Sequence, residues 1–308
     1  MQAIQYKAYG SPAEMQLTER KPAPLKRGEL LIEIHAASIN PVDWKIRQGE
    51  MKMLTGSSFP RGMGSDFAGV VAASNAPRFK PGDEVFGFIP FKTAQAFGEQ
   101  AVASADLTVH KPAGLSFSAA ACLPMAATTA LRALKEKGGL QAGMKVLVNG
   151  CTGGVGVFAV QIAKALGAEV AGTCNASSLA LAKELGADMA LDYKKTDILD
   201  LPTRFDLVFD TPGTLSFSQA KAILQPKGIF LELNPKPLSL ILQVFNSRLK
   251  PIITSVRQED LEALAHLASQ GKLRPFIGHE VSLQDAIPTL IRMEEGVRTT
   301  GKTVIRVR

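Results

Sequence analysis

Residues 145–168 read K-V-L-V-N-G-C-T-G-G-V-G-V-F-A-V-Q-I-A-K-A-L-G-A: an apolar run, a glycine-rich turn and an amphipathic run in immediate succession. A turn of this kind lets backbone approach a diphosphate where side chains would obstruct it. The N–H groups at the helix start then meet the negative charge. Cys151, Thr152, Gly153, Gly154, Val155 and Gly156 are candidate cofactor contacts, and Gly156 would also allow close helix–strand packing. The turn G-C-T-G-G-V-G departs from a literal G-x-G-x-x-G, so the assignment rests on the strand–turn–helix context. A tight turn in an unrelated α/β fold is the alternative.

The next strand ends A-G-T-C-N-A-S-S, residues 171–178. An NAD-selective site places Asp or Glu about 20 residues after the glycines, on the ribose 2′-hydroxyl. Here that neighbourhood offers Cys174, Asn175, Ser177 and Ser178, and no acid. Hydroxyls with a nearby cation accept a 2′-phosphate that a carboxylate would repel, which favours NADP(H). Ser177 as N-cap of the following helix is the competing role, and the two are compatible.

The elements that must position these residues change character along the chain. Glu29 to Ala37, Phe67 to Ala73, Gly98 to Val102 and Leu107 to Lys111 read as short strands, with a Pro81-Gly82-Asp83 turn among them. They predict a compact, partly closed β-domain. From Ser116 an Ala-rich helical stretch runs to about Lys137, with a break at Pro124. Strands at 145–149, 169–174, 189–191, 207–209 and 228–233 then alternate with helices at 155–166, 177–185 and 216–224, the pattern of a parallel sheet with crossovers. Gln258 to Ser269 predicts a helix; Leu283 to Met293 predicts another, weakened by Pro288; Lys302 to Val307 predicts a last strand. The expected organisation is a β-rich domain over 1–121, an inserted dinucleotide domain over 122–265, and a return to the first over 266–308.

At 308 residues the chain is long enough for two domains, and 46% hydrophobic with 20% charged residues excludes wholesale disorder. A net charge of +7 favours anionic ligands and is too weak to argue nucleic-acid binding. Three scattered cysteines fit a reducing compartment, and a cytoplasmic location is expected. The N-terminus lacks a basic segment followed by an apolar one, so no secretory signal is expected. The most apolar stretch, Pro237 to Phe245, is too short for a membrane span and contains Ser239 and Gln243.

Seven stretches carry a likeness that spans nearly the whole chain: S-I-N-P-V-D-W-K-I-R-Q-G (38–49), G-S-D-F-A-G-V-V (64–71), F-K-P-G-D-E-V-F (79–86), L-P-M-A-A-T-T-A (123–130), N-G-C-T-G-G-V-G (149–156), L-G-A-D-M-A-L-D-Y (185–193) and T-G-K-T-V-I-R-V (300–307). The chain resembles the medium-chain dehydrogenase/reductase superfamily, specifically its zinc-independent quinone oxidoreductase branch with the related alkenal/enone reductases. The resemblance implies an α/β protein: a Rossmann-type doubly wound parallel sheet domain plus a β-rich GroES-like catalytic domain. It also implies NADPH as cofactor, a small-molecule enone or quinone as substrate, and a homodimer.

Zinc alcohol dehydrogenases of this superfamily carry a catalytic Cys where this chain has Asn40-Pro41-Val42-Asp43, and Gly-His-Glu where it has Gly64-Ser65-Asp66. His35, His110, His266 and His279 show no ligand spacing, so no metal site is expected. Without a metal, hydride addition to a conjugated acceptor is easier than to a simple ketone, because charge spreads onto the carbonyl oxygen as an enolate. The resemblance places Asn40 near the nicotinamide, and Lys45 in the same loop is a candidate donor to the acceptor oxygen. Asp43 would fix that loop, and Trp44 would pack. Thr128 matches a contact to the nicotinamide ribose or phosphate. Tyr193 matches a position beside the adenosine 2′-phosphate, with Lys194 or Lys195 adding charge, while Leu179 stands where some relatives have Lys. Asp210 and Thr211 would approach the nicotinamide half, Leu233 and Asn234 its carboxamide, and Lys302 completes the expected cofactor contacts. A non-catalytic NADP(H)-binding protein of crystallin or RNA-binding type is the competing function.

Overall fold

The fold is described from a computed structural model, covering residues 1–235 and 237–308. Two compact units are formed: Met1–Met125 with Val256–Gly271 and Pro275–Arg308, and Ala126–Ser255 with Lys272–Arg274. The Gln258–Ser269 helix belongs to the first unit, so the main run of the second unit stops at Ser255, before the expected boundary at 265, and only Lys272–Arg274 returns to it.

The first unit is built on a seven-stranded sheet whose central member is Glu29–Ile39. Alternate side chains of that strand (Leu30, Ile32, Ile34) are buried with Phe67, Val85 and Phe97 in the apolar core. Burying each such side chain contributes roughly 1.5–3 kcal/mol. On one side Glu29–Ile39 pairs antiparallel with Asp66–Ser74, which sets Ser38 opposite Asp66. On the other it pairs antiparallel with Lys302–Arg306, which sets Ile39 opposite Thr303. The helix Pro41–Gln48 starts as the central strand ends, with Asn40 as N-cap and Pro41 at its first position. Gly49, at φ 93°, closes it in the left-handed conformation that glycine tolerates best.

The second unit holds six strands, all in parallel pairs: Met189–Asp192, Glu169–Cys174, Lys145–Asn149, Phe205–Asp210, Leu224–Glu232 and Leu249–Pro251, in that spatial order. Numbered along the chain this is 3-2-1-4-5-6, the doubly wound order. Its direction reverses between Lys145–Asn149 and Phe205–Asp210, the place where such sheets bind ligands.

Three local expectations are corrected. The helical stretch after Ser116 does not break at Pro124; π-helical turns over Leu123–Ala127 accommodate the missing N–H before the helix Thr128–Arg132. The helix expected from Ser177 instead begins as a 3₁₀ turn, Ala176–Ser178, followed by Leu179–Glu184. Pro288 does not weaken the last helix, Ala286–Glu294, because it lies in the first turn, where an N–H is not needed. Pro237–Phe245 is a helix with Ile241, Val244 and Phe245 strongly exposed. Among the described residues no helix is long and apolar enough to cross a membrane.

Candidate active site

In the second unit, Asn149 ties the carboxyl ends of three strands together. Its Nδ2 donates to Asp210 Oδ1 and to Thr214 Oγ1, each at 2.8 Å, and its Oδ1 accepts from Thr173 Oγ1 at 2.5 Å. Thr173 Oγ1 in turn accepts the Gly150 N–H at 3.0 Å, which fixes the start of the glycine turn. A Cβ on Gly156 would collide with Gly150 O and the Cys151 backbone, so only glycine lets the helix Gly156–Ala165 start this close to the strand. The N–H groups of Thr152, Gly154 and Val155 have no backbone partner among the described residues and are open to an anion. Thr128 is fully buried, yet among the described residues its hydroxyl has no partner. An orphaned hydroxyl and an open amide turn in the dinucleotide fold fit a bound nicotinamide dinucleotide.

The remaining cofactor candidates divide. Cys174 and Asp192 are paired across neighbouring strands, and the Tyr193 N–H donates to Cys174 O at 3.1 Å, so these strand ends and Tyr193 form one corner. Tyr193 is exposed. Ser177 does not cap the helix: its hydroxyl donates to Asn175 Oδ1 at 2.9 Å, which leaves it on the exposed surface after the second strand. Ser178 is buried. Asp192, a buried acid at this corner, escaped the sequence reading because it comes from the third strand; its Oδ1 accepts the Lys194 N–H at 3.1 Å. Lys194 and Lys195 are exposed.

Asp210 is fully buried and both of its oxygens are engaged, by Asn149 and by the Leu215 N–H at 2.9 Å, so it positions the strand ends. The Thr211 hydroxyl donates inward to Asn149 O at 2.8 Å. Asn234 Nδ2 donates to Thr211 O and the Leu233 N–H to Asp210 O, joining the fourth and fifth strand ends. Cys151 and Cys174 are buried, and burial pushes both thiols up, with the neighbouring sulfur contributing at Cys151.

In the first unit, a buried polar cluster surrounds Asn40. Its Nδ2 donates to Asp66 Oδ2 at 2.8 Å, and its Oδ1 accepts from Lys302 Nζ at 2.6 Å. The Lys302 ammonium also donates to Ile39 O at 3.0 Å. The Asn40 N–H donates to Asp43 Oδ2 at 2.8 Å, a capping contact of the helix Pro41–Gln48, so the stretch expected as a loop is helical from Pro41 on. The Met125 N–H, next to Pro124, donates to Asp66 Oδ1 at 3.1 Å. Sheet pairing explains the convergence, because Asp66 and Lys302 lie on the two neighbours of the strand that ends at Ile39.

Burial pushes the Asp43 carboxyl up to about 8; the nearby Asp66 charge adds to this, while the Asn40 N–H and Lys302 oppose it. Burial likewise pushes Asp66 up to about 7, against Lys302, Asn40 and the Met125 N–H. The Cys122 thiol is pushed up to about 12, chiefly by burial.

Lys302, expected among the cofactor contacts, spends two of its three N–H donors inside the first unit, on Asn40 and Ile39. Lys45 is half-buried, and its side chain has no hydrogen bond or ion pair among the described residues, so its ammonium is free. Trp44 is in the apolar core. The sequence reading missed Arg47 on the same helix. It is fully buried, ion-paired with Glu294 and hydrogen-bonded to Gly10 O, and it anchors the helix to Ala286–Glu294. Among the described residues, no three His, Cys, Asp or Glu side chains gather as a metal site.

Two family models match the chain: the alcohol dehydrogenase GroES-like domain over residues 26–137 and the zinc-binding dehydrogenase over residues 185–305. The chloroplast envelope quinone oxidoreductase homolog of Arabidopsis thaliana is 32% identical, with 99% of this chain and 98% of the relative covered. The NADPH-dependent alkenal/one oxidoreductase, chloroplastic, of the same organism is 34% identical over 90% of this chain and 72% of its own length. The solved quinone oxidoreductase of Coxiella burnetii superposes with a TM-score of 0.90 at 32% identity, covering 100% of this chain and 99% of that one. Full-length likeness in sequence and in fold, with the doubly wound sheet and its glycine turn, agree: the chain belongs to the quinone oxidoreductase branch of the medium-chain dehydrogenase/reductase superfamily.

Proposed function

We propose that the chain reduces α,β-unsaturated carbonyls or quinones with NADPH, by hydride transfer and without zinc. The hydrogen-bonded run Lys302–Asn40–Asp66 carries this reading. Asn40 and Asp66 lie in the two stretches where the zinc alcohol dehydrogenases carry a catalytic Cys and Gly-His-Glu. A resident ammonium repels a dication, and the Asn40 and Asp66 oxygens are already engaged. Without a metal to polarise a simple ketone, a conjugated acceptor is the substrate class that fits. The relative named NADPH-dependent alkenal/one oxidoreductase supports both the cofactor and the acceptor.

A bound reduced nicotinamide supplies the hydride. The amides of Thr152, Gly154 and Val155 hold the diphosphate, and the Thr128 hydroxyl gains the partner it lacks. Ser177 and Tyr193 accept the 2′-phosphate, at a corner where the one acid, Asp192, is buried against the Lys194 amide. Lys45 donates to the oxygen that gains charge as the acceptor is reduced. The same reading places the protein in a reducing, cytoplasmic setting, supported by three free, buried cysteines. It also makes the chain a homodimer, for which exposed Ile241, Val244 and Phe245 supply apolar surface.

NADPH oxidation with a panel of acyclic enones and benzoquinones, before and after a chelator, tests the proposal together with elemental analysis. Turnover that survives chelation, with well under one zinc per chain, is expected. Stoichiometric zinc with chelator-sensitive turnover contradicts it.

A further inference from the structure

We propose that Lys302 is a positioning residue for hydride transfer: it locks the Asn40 amide from one side while Asp66 locks it from the other, and with Asp43 the cluster retains one proton at neutral pH. The kinetic part of this proposal rests on the reading of the chain as a reductase; the proton count does not.

Geometry fixes the amide. Asn40 Oδ1 faces an ammonium and Nδ2 faces a carboxyl oxygen, so a flipped amide would set donor against donor and acceptor against acceptor. Both anchors come from strands paired to the strand that ends just before Asn40, so a small change at position 302 is passed directly to Asn40 and the start of the helix carrying Lys45.

Charge counting gives the proton. Asp43, Asp66 and Lys302 are all buried, and two carboxyls share one ammonium. Full ionisation would leave an uncompensated buried negative charge; one retained proton makes the cluster neutral. The other titratable groups acting here are Cys122, which is buried and holds its proton, and Glu280, which acts on Cys122. Burial raises both carboxyls and Lys302 opposes the rise, so losing the ammonium must move their titration to higher pH.

The experiment pairs infrared spectroscopy of the unliganded protein with kinetics. A protonated-carboxyl stretch should be present at pH 7, disappear as pH rises above neutrality, and weaken in Asp43→Asn or Asp66→Asn. Lys302→Met should keep that band to higher pH and lower kcat by on the order of 10²-fold, the cost of a misplaced Asn40 and helix start. The KM for NADPH should stay within about twofold, since Lys302 binds no cofactor in this account. Lys302→Arg should restore much of the pH profile. Lys302→Met with an unmoved pH profile and only a lower Tm overturns the positioning role. Absence of the band in wild type at pH 7 overturns the proton count, even if no Lys302 variant folds. A band that titrates as expected in a protein without enone or quinone turnover upholds the cluster and rejects the reductase reading alone.

Discussion

Lys302 Nζ donates to Asn40 Oδ1 at 2.6 Å, across 262 positions of sequence. The contact exists because the strand carrying Lys302 pairs with the strand that ends just before Asn40. It ties two residues far apart in sequence into one fixed polar cluster inside the β-rich unit.

The two acids of that cluster make stability fall as pH rises. Their folded-state pKa values, about 8 for Asp43 and about 7 for Asp66, lie above the ordinary carboxyl value near 4. Between about pH 4 and 8 the folded state therefore binds more protons than the unfolded one. This contribution is complete below pH 4 and is lost as pH climbs through the folded values. Urea midpoints at pH 5 and pH 8.5 should differ less in Asp43→Asn than in wild type; equal differences contradict the assignment.

Glu294→Ala should destabilise the protein by about 3–5 kcal/mol, because it strands the fully buried Arg47 guanidinium. Denaturant unfolding measures it. A loss under about 1 kcal/mol would show that Gly10 O alone satisfies Arg47.

Gly156→Ala should abolish dinucleotide binding or prevent folding, since its Cβ meets rigid backbone at Gly150 and Cys151. Gly153→Ala meets only Gly150 O at 3.4 Å and should fold with a smaller affinity loss. Fluorescence titration with NADPH, alongside circular dichroism, separates the two.

Ser177→Asp should weaken NADPH more than NADH. Ser177 is exposed and free of helix capping, and a carboxylate there would repel a 2′-phosphate. Equal loss for both cofactors would remove Ser177 from the phosphate corner.

The sequence made the parallel sheet legible because each strand is a short apolar run followed by a helical pattern, and the glycine turn announced its ligand. Asn40 and Lys45 were singled out by the family resemblance of the stretch 38–49. Asp66 and Asn149 were seen only as letters within motifs, and Lys302 was expected on the cofactor, since the roles of all three depend on strand register, which no local pattern encodes. Arg47 and Glu294 gave no signal at all: a buried ion pair between distant helices reads in sequence as two surface charges. Pro124 misled in the other direction, because a π-helical turn can absorb a proline that local propensity treats as a stop.

Deuterium transfer follows the hydride itself. NADPH labelled at the nicotinamide C4 is incubated with the protein and an acyclic enone, and the product is read by NMR. Label is expected on the β-carbon, with one NADPH oxidised per product and a rate that falls about 10²–10³-fold in Lys45→Met. Tight NADPH binding without oxidation, against enones and quinones alike, would contradict the reductase reading and leave a dinucleotide-binding protein in its place.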